Sequence, residues 1–275
     1  MRVEAKGSPA ADLGGDANAR VVVISGAAGG MGAAAARRFA AAGDTLVLGD
    51  LNAPALEKLA GELAAATPVH AVTCDVTVPA HCENLMATAA ADAGRIDVLL
   101  NAAGVWVEGP TEQMTEHQWD RTIGVNLKGT FLCCRYAIPY LKKTQGCIIN
   151  LSSDAGIVGT PETAIYTASK GGVSLLTKSL ALELAPDLVR CVAVCPADVM
   201  TPMLEGQARD FGGGDEEGYF KRLLGSYPQG AKARFITADE VAQLIFYLAS
   251  PQAAPITGAC ISIDFGTTAG YGYSA

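Results

Sequence analysis

The chain has 275 residues, of which half are apolar and 17% are charged, and its formal net charge is −8. This length predicts one large domain with a sizeable core and excludes two full domains joined by a linker. The apolar content is typical of a buried parallel sheet rather than of a disordered chain. The negative charge excludes the usual nucleic-acid-binding protein, which presents a basic face.

The eight cysteines do not have the spacing of a disulfide framework or of a metal site. They are scattered through apolar runs without any C-x-x-C pair, so we expect buried free thiols in a reducing compartment and no bound metal.

Residues 1–19 lack an apolar signal core and predict a flexible N-terminal extension. No apolar run is long enough to span a membrane. These features together predict a cytoplasmic protein.

From residue 20 onward, strand-like and helix-like segments alternate. The predicted strands are 21–24, 45–48, 69–74, 96–101, 147–151, 189–194 and 259–263. The predicted helices follow the first glycine-rich turn up to residue 42, then cover 53–66, 79–93, a long region after 115, 163–184 and 238–248. Such alternation with short connections forces parallel pairing with right-handed crossovers. It predicts an α/β fold with a doubly wound, seven-stranded parallel sheet, the Rossmann fold, in a single domain over residues 20–275.

One segment interrupts this alternation. Residues 201–236 contain no clean strand, and the run Gly212-Gly213-Gly214-Asp215-Glu216-Glu217 predicts a mobile, solvated loop. Segments of this length inside a compact domain are usually lids or disordered stretches. We therefore predict a substrate lid at about 201–236.

The first predicted strand leads into the turn Ser25-Gly26-Ala27-Ala28-Gly29-Gly30-Met31-Gly32, which opens a helix. Glycines at such a turn let the phosphates of a dinucleotide approach the free N–H groups at a helix N-terminus. The spacing of Gly26, Gly30 and Gly32 is G-x-x-x-G-x-G, not the general G-x-G-x-x-G. Tight turns also collect glycine, but the position between a buried strand and an apolar-faced helix favours a dinucleotide site.

Asp50 ends the second strand, eighteen residues after Gly32. A carboxylate there can accept hydrogen bonds from ribose hydroxyls and would repel a 2′-phosphate, and no Arg or Lys lies in the glycine loop or directly after Asp50. The alternative role is an N-cap of the next helix. The position predicts NAD rather than NADP as cofactor. Asp75, at the end of the third strand, suits either a contact with the adenine ring or an Asx turn.

Tyr166 and Lys170 are four residues apart, so they share one face of the predicted helix. A lone Tyr-x-x-x-Lys pair normally marks only an exposed surface. Here the helix follows a strand that ends in Ser152-Ser153, near the sheet edge where open α/β folds bind ligands. This context favours a catalytic role.

These residues together resemble the short-chain dehydrogenases/reductases in their single-domain form. The resemblance covers residues 20–266. Besides the glycine loop, Asp50 and the Tyr-Lys pair, it rests on Asn101-Ala102-Ala103-Gly104, on Asn126, on Ser153 thirteen residues before Tyr166, and on the segment 196–201. It implies an NAD(H)-dependent oxidoreductase that transfers a hydride between nicotinamide and a secondary alcohol or ketone.

The resemblance also implies a role for each catalytic residue. Tyr166 would exchange a proton with the substrate oxygen; its phenol ordinarily titrates near ~10, so Lys170 would have to stabilise the phenolate. Lys170 would also bond the nicotinamide ribose. Ser153 would hydrogen-bond the substrate oxygen, and Asn126 would hold a water that links Lys170 to solvent.

Two neighbours of Ser153 are alternatives for its role. Ser152 fits a structural role at the strand end, and the spacing to Tyr166 favours Ser153. Asp154 suits a solvated or helix-capping carboxylate better than a catalytic acid.

The coenzyme contacts that the resemblance implies lie on the glycine loop, the ends of strands two to four, the Tyr-Lys helix and the segment after strand six. They are Gly26, Gly30, Met31, Gly32, Asp50, Leu51, Asp75, Val76, Asn101, Ala102, Ala103, Gly104, Tyr166, Lys170, Pro196, Val199 and Thr201. Two positions depart from the family pattern, because Ala102 replaces its usual Asn and Ala197 its usual Gly.

Three loops, 105–111, 154–162 and 202–228, would form the substrate pocket. Trp106, Ile157, Met203, Leu204 and Phe211 predict a mainly apolar pocket, with Glu108, Glu162 and Arg209 as possible polar contacts. A hydrophobic or amphipathic secondary alcohol fits such a pocket better than a sugar phosphate.

Several rival functions fit the sequence less well. A non-catalytic NAD-binding regulator would lack Tyr166 or Lys170, an epimerase needs a larger substrate domain, and an enoyl reductase usually spaces Tyr and Lys more widely. A 3-ketoacyl thioester reductase is the nearest rival, although it generally uses NADP and carries a basic patch.

Apolar surface on the helices at 127–141 and 175–184 predicts a homotetramer, with a homodimer as the alternative.

Overall fold

The computed structural model describes residues 19–270. Apart from Ala19, the N-terminal extension predicted for residues 1–19 lies outside them. Seven strands form the main sheet and two short ones form a separate pair. In chain order they are β1 (Val21–Ser25), β2 (Thr45–Asp50), β3 (Val69–Thr73), β4 (Val98–Asn101), β5 (Cys147–Leu151), β6 (Arg190–Pro196), β7 (Val199–Met200), β8 (Ile236–Thr237) and β9 (Cys260–Ile263).

Helices connect these strands. They are α1 (Gly30–Ala40), α2 (Ala53–Leu63), α3 (Pro79–Asp92), α4 (Glu116–Ile123), α5 (Thr130–Thr144), α6 (Ala164–Leu184), α7 (Pro202–Phe211), α8 (Glu216–Leu224) and α9 (Ala238–Leu248). A π-helical turn, Gly124–Gly129, joins α4 to α5.

The main sheet has the strand order β3-β2-β1-β4-β5-β6-β9, and every pairing in it is parallel. The predicted seven-stranded, doubly wound parallel sheet is therefore confirmed. The chain runs outward from β1 to β3 and then crosses back to β4 on the other side of β1. This reversal opens a crevice at the carboxyl ends of β1 and β4, where ligands bind in such sheets.

The central strands are buried on both faces, which explains their continuous apolar runs. In β1, Val22 and Ile24 face one core layer, which α1, α2 and α9 complete. Val21 and Val23 face the other layer, which α3, α5 and α6 complete. Because all seven strands run parallel, the loops that follow them lie at the same edge of the sheet.

The prediction of a loop at residues 212–217 holds for residues 212–215, which form the turn between α7 and α8, and is wrong for Glu216 and Glu217, which begin α8. The predicted mobility of this segment stays a prediction. Asp215 caps α8 by accepting a hydrogen bond from the Gly218 N–H at 2.8 Å. Tyr219 of α8 is 2% exposed, so this helix packs onto the domain through an aromatic anchor.

All eight cysteines are free thiols, and seven of them are buried. Across residues 19–270, no helix is long and apolar enough to cross a membrane. The same residues contain no group of three or more His, Cys, Asp or Glu side chains arranged to hold a metal ion.

Candidate active site

A cavity of about 380 Å³ opens at the carboxyl ends of β1, β2 and β4. It is lined by the glycine loop, by the ends of β2 and β3, and by the segment after β4. Twelve of the predicted coenzyme contacts line it: Gly26, Gly30, Met31, Gly32, Asp50, Leu51, Asp75, Val76, Ala102, Ala103, Gly104 and Thr201.

The glycine loop is built so closely that side chains would not fit. Gly26 has a φ of +70°, and a Cβ on it would overlap the backbone of Ala103, with its Cα 2.5 Å away. A Cβ on Gly32 would overlap the carbonyl oxygen of Gly26, and one on Gly30 would lie 2.5 Å from the Thr201 methyl group. These approaches leave a bare backbone at the start of α1, which suits the phosphates of a dinucleotide. The cradle therefore fits the predicted cofactor.

Asp50 is held in place by backbone N–H groups. One carboxylate oxygen accepts a hydrogen bond from the Ala28 N–H of the glycine loop at 2.9 Å, and the other accepts one from the Asn52 N–H at 2.8 Å. The N-cap alternative does not hold, because Asn52 caps α2 by accepting from the Ala55 N–H. Asp50 thus lines the cavity with both oxygens oriented before any ligand binds.

Asp75 forms the Asx turn that the sequence left open, because its Oδ1 accepts hydrogen bonds from the N–H and the hydroxyl of Thr77. It also lines the cavity, and the contact with the adenine ring stays a prediction. The Thr77 hydroxyl hydrogen bond holds the pKa of Asp75 below its usual value.

Asn101 and Pro196 line neither this cavity nor the substrate cavity described below. The Asn101 amide donates to Asn150 Oδ1 at 2.8 Å, and its oxygen accepts from the Ser25 hydroxyl, so its side chain connects β4 to β1 and β5.

The sequence analysis did not single out Arg121 of α4, which is the one basic side chain lining this cavity among residues 19–270.

Tyr166, Lys170 and Ser153 meet where β5 and α6 come together, and all three are buried. The Lys170 ammonium donates a hydrogen bond to the Leu151 carbonyl at 2.8 Å and lies 5.7 Å from the centre of the Tyr166 ring. A Cβ on Gly104, which lines the coenzyme cavity, would lie 3.7 Å from the Lys170 Nζ, although Lys170 is not itself among the lining residues. The ammonium therefore lies just behind the wall of the crevice.

Burial changes the ionisation of this pair. It raises the pKa of Tyr166 above its ordinary value of 10.0; the nearby Ser153 hydroxyl opposes the shift, and the charges of Asp154 and Asp198 add to it. Burial also lowers the pKa of Lys170 to about 8. Tyr166 is therefore protonated at neutral pH in the ligand-free chain and is ready to act as an acid.

Asn126 lies in the π-helical turn and is fully buried. Its Oδ1 accepts from the Val105 N–H at 2.8 Å, and its Nδ2 donates to the Val105 carbonyl and to the Ser169 hydroxyl, both at 3.0 Å. The side chain thus fixes the loop after β4 against α6. Single π-helical turns often occur at functional sites, because they reorient one side chain within a helix. The water relay predicted for Asn126 stays a prediction.

Comparison with known proteins bears on this arrangement directly. Residues 26–268 match the family model described as enoyl-(acyl carrier protein) reductase. The chain is 40% identical to the meso-2,3-butanediol dehydrogenase of Serratia marcescens, over 92% of this chain and 96% of that protein. It is 39% identical to the D-beta-hydroxybutyrate dehydrogenase of Rhizobium meliloti (strain 1021), over 91% and 99% of the two chains.

A solved structure agrees with these relatives. The 3-ketoacyl-(acyl-carrier-protein) reductase from Brucella melitensis, complexed with NADH, superposes with a TM-score of 0.81 at 32% identity, over 94% of this chain and all of that one. The chain belongs to the short-chain dehydrogenase/reductase family. The predicted family and the predicted activity as a nicotinamide-dependent oxidoreductase are thereby confirmed.

In this short-chain dehydrogenase/reductase, a second cavity of about 270 Å³ adjoins the first, and both are lined by Met31, Thr201 and Met203. Tyr166 and Ser153, which the sequence predicts to be catalytic, line it. Of the predicted pocket residues, Trp106, Glu108, Glu162, Met203 and Leu204 also line it, whereas Ile157, Arg209 and Phe211 do not. The Trp106 ring packs on the Tyr166 ring with centroids 4.3 Å apart, so the indole forms one wall beside the phenol.

The sequence does not single out several polar residues of the second cavity, among them Asp198, Tyr219 and Arg222. Burial raises the pKa of Asp198 to about 6, and the charge of Asp154 adds to this shift. The position of Asp198, two residues after the end of β6 at the ligand-binding edge, could have identified it. Tyr219 was hidden because its helix was interpreted as a loop, although Asp215 as an N-cap was the available signal.

Proposed function

We propose that the chain is an NAD(H)-dependent dehydrogenase that interconverts a secondary alcohol and its ketone, with Tyr166 as general acid and base. The observation that carries this proposal is the adjoining pair of cavities. One presents a bare glycine cradle and Asp50, and the other presents Tyr166 and Ser153. A hydride and a proton can therefore reach one carbinol centre from two sides.

When bound, the dinucleotide supplies or takes the hydride. In the direction of ketone reduction, Tyr166 donates its phenolic proton to the carbonyl oxygen as that oxygen gains negative charge. Lys170 stabilises the phenolate that results, because its ammonium lies behind the ring and is shielded from solvent. In alcohol oxidation, the phenolate takes the hydroxyl proton back.

Ser153 is placed to bind the same oxygen. Its hydroxyl donates to Asp154 Oδ1 at 2.7 Å, while its oxygen accepts from the Ala155 N–H at 3.2 Å. A hydroxyl rotates freely between acceptors, so the proton can turn from Asp154 to a substrate oxygen in the cavity. In this role Ser153 would polarise the carbonyl group and orient it toward Tyr166.

Asp50 supports NAD rather than NADP, as does the NADH bound to the related reductase from Brucella melitensis. We expect kcat/KM with NAD to exceed that with NADP by about 100-fold, because a 2′-phosphate would lie against a fixed carboxylate. Asp50→Asn should reduce this preference and lower kcat/KM with NAD. Initial rates over a panel of secondary alcohols and ketones, with each coenzyme, test the function and the preference together. A higher kcat/KM with NADP in the wild-type chain would contradict the role of Asp50.

We further propose a cytoplasmic homotetramer. The eight free thiols support a reducing compartment. Apolar side chains exposed on α5 and α6 support assembly: Phe131 is 45% exposed, Leu175 65% and Leu182 80%. A mass of four chains in multi-angle light scattering would agree with the tetramer, and a mass of one chain would contradict it.

A further inference from the structure

The cavity beside Tyr166 is lined by four carboxylates and one basic group among residues 19–270: Glu108, Asp154, Glu162, Asp198 and Arg222. Arg222 is exposed, and its guanidinium lies over the Tyr219 ring at 4.9 Å from the ring centre. Neither Glu108, Asp154 nor Asp198 forms an ion pair with a basic group within the described chain. The cavity that would hold the substrate is therefore anionic.

Glu108 shows how these carboxylates are held. Its Oε2 accepts two hydrogen bonds of 2.7 Å, one from the Trp106 indole N–H and one from the Tyr219 hydroxyl. Its Oε1 has no hydrogen-bond donor among the described residues. The carboxylate is thus fixed between the loop after β4 and helix α8, with one oxygen left for another donor.

Asp154 and Asp198 repeat this arrangement. Asp154 Oδ1 accepts from the Ser153 hydroxyl and from the Ala155 N–H, each at 2.7 Å, and Asp198 Oδ2 accepts from the Tyr227 hydroxyl at 3.2 Å. The second oxygen of each carboxylate has no donor within residues 19–270. Both groups are near enough to Tyr166 for their charges to act on its phenol. Three oriented acceptors therefore line the same cavity as Tyr166.

From this arrangement we infer that the substrate is a small uncharged diol or polyol, or the matching hydroxyketone, and that the cavity rejects substrates bearing a carboxylate. This inference rests on the proposed function. A second hydroxyl can donate to a free carboxylate oxygen and so offset the loss of that oxygen's hydration. A substrate carboxylate would instead meet like charges, and this repulsion is costly. The volume of about 270 Å³ restricts the substrate to a small molecule.

The first test compares four-carbon substrates of nearly equal size with NAD at pH 8. Each stereoisomer of 2,3-butanediol, 2-butanol and 3-hydroxybutyrate is assayed separately, together with threitol and threonate. We expect kcat/KM for the best neutral diol or tetrol to exceed that for 2-butanol by about 10-fold and that for either acid by about 100-fold. Oxidation of an acid as efficiently as its neutral partner would overturn the inference and leave the proposed function standing. Absence of turnover with every substrate and both coenzymes would overturn the proposed function itself.

The second test uses Glu108→Gln and Asp198→Asn. Each amide keeps one oxygen to accept the existing hydrogen bonds, removes the charge, and replaces the free oxygen by an N–H donor. We expect the preference for 2,3-butanediol over 3-hydroxybutyrate to fall by about 10-fold in each variant, mainly through a lower KM for the acid. Glu83→Gln, an exposed change of the same charge on α3, should leave the preference unaltered. An unchanged preference in both cavity variants, with thermal unfolding like that of the wild type, would contradict the inference.

Discussion

Tyr166→Phe is expected to lower kcat by about 10³- to 10⁴-fold, because it removes the phenolic oxygen that we propose exchanges a proton with the substrate. The phenyl ring that remains can keep its packing on Trp106, so the cavity should retain its shape. The affinity for NADH should change little. Steady-state rates and coenzyme titration by calorimetry measure the two quantities separately.

The control for this variant is Tyr247→Phe. Tyr247 lies on α9, is 45% exposed and lines neither cavity. The Tyr247→Phe variant loses the same hydroxyl at a position for which no catalytic role is proposed, so its kcat should match that of the wild type. Near-normal turnover by Tyr166→Phe would refute its role as acid and base.

Gly26→Ala is expected to destabilise the fold by about 3–5 kcal/mol and to weaken coenzyme binding by at least about 100-fold. Two separate effects add at this residue. A side chain is strained at a φ of +70°, and its Cβ would also overlap the backbone of Ala103, which cannot move without disturbing β4. Thermal unfolding and calorimetric titration with NADH measure the two losses.

Gly43→Ala separates the backbone strain at a positive φ from the steric overlap of the new Cβ. Gly43 has a φ of +81°, but nothing lies within 4 Å of a Cβ built on it. It should therefore lose only the strain, about 1–2 kcal/mol, and bind NADH normally. Equal losses of stability and of coenzyme affinity in the two variants would show that the close contact at Gly26 does not matter.

The sheet could be predicted from sequence because its strands obey local rules. β1 and β5 are buried along their whole length, so they stand out as short apolar runs between glycine and polar residues. Boundaries were less certain: a strand was predicted from residue 96, but β4 begins at Val98. Ile96 is fully buried without belonging to the strand, and an apolar pattern alone does not separate these two cases.

The substrate side could be predicted only in part, because it depends on contacts between distant segments. Asp215 was a local N-cap signal for α8, but the role of Tyr219 depends on its hydrogen bond to Glu108, 111 residues away in sequence. Gly212, Gly213 and Gly214 suggested flexibility, but they form only the turn between two helices. The position of Asp198 after β6 was a local signal, but its hydrogen bond with Tyr227 and its interaction with Asp154 join segments that no local pattern links.

The attachment of Asp50 limits how coenzyme choice can be redesigned. The carboxylate that would discriminate against a phosphate also fastens the glycine loop at Ala28 and the entry to α2 at Asn52. Replacing Asp50 by a basic or small residue would remove the repulsion of a 2′-phosphate, but it would also release both segments. A chain converted to the phosphorylated coenzyme would therefore need at least one compensating change that fastens the loop again, and single substitutions at this position should yield poor enzymes with either coenzyme.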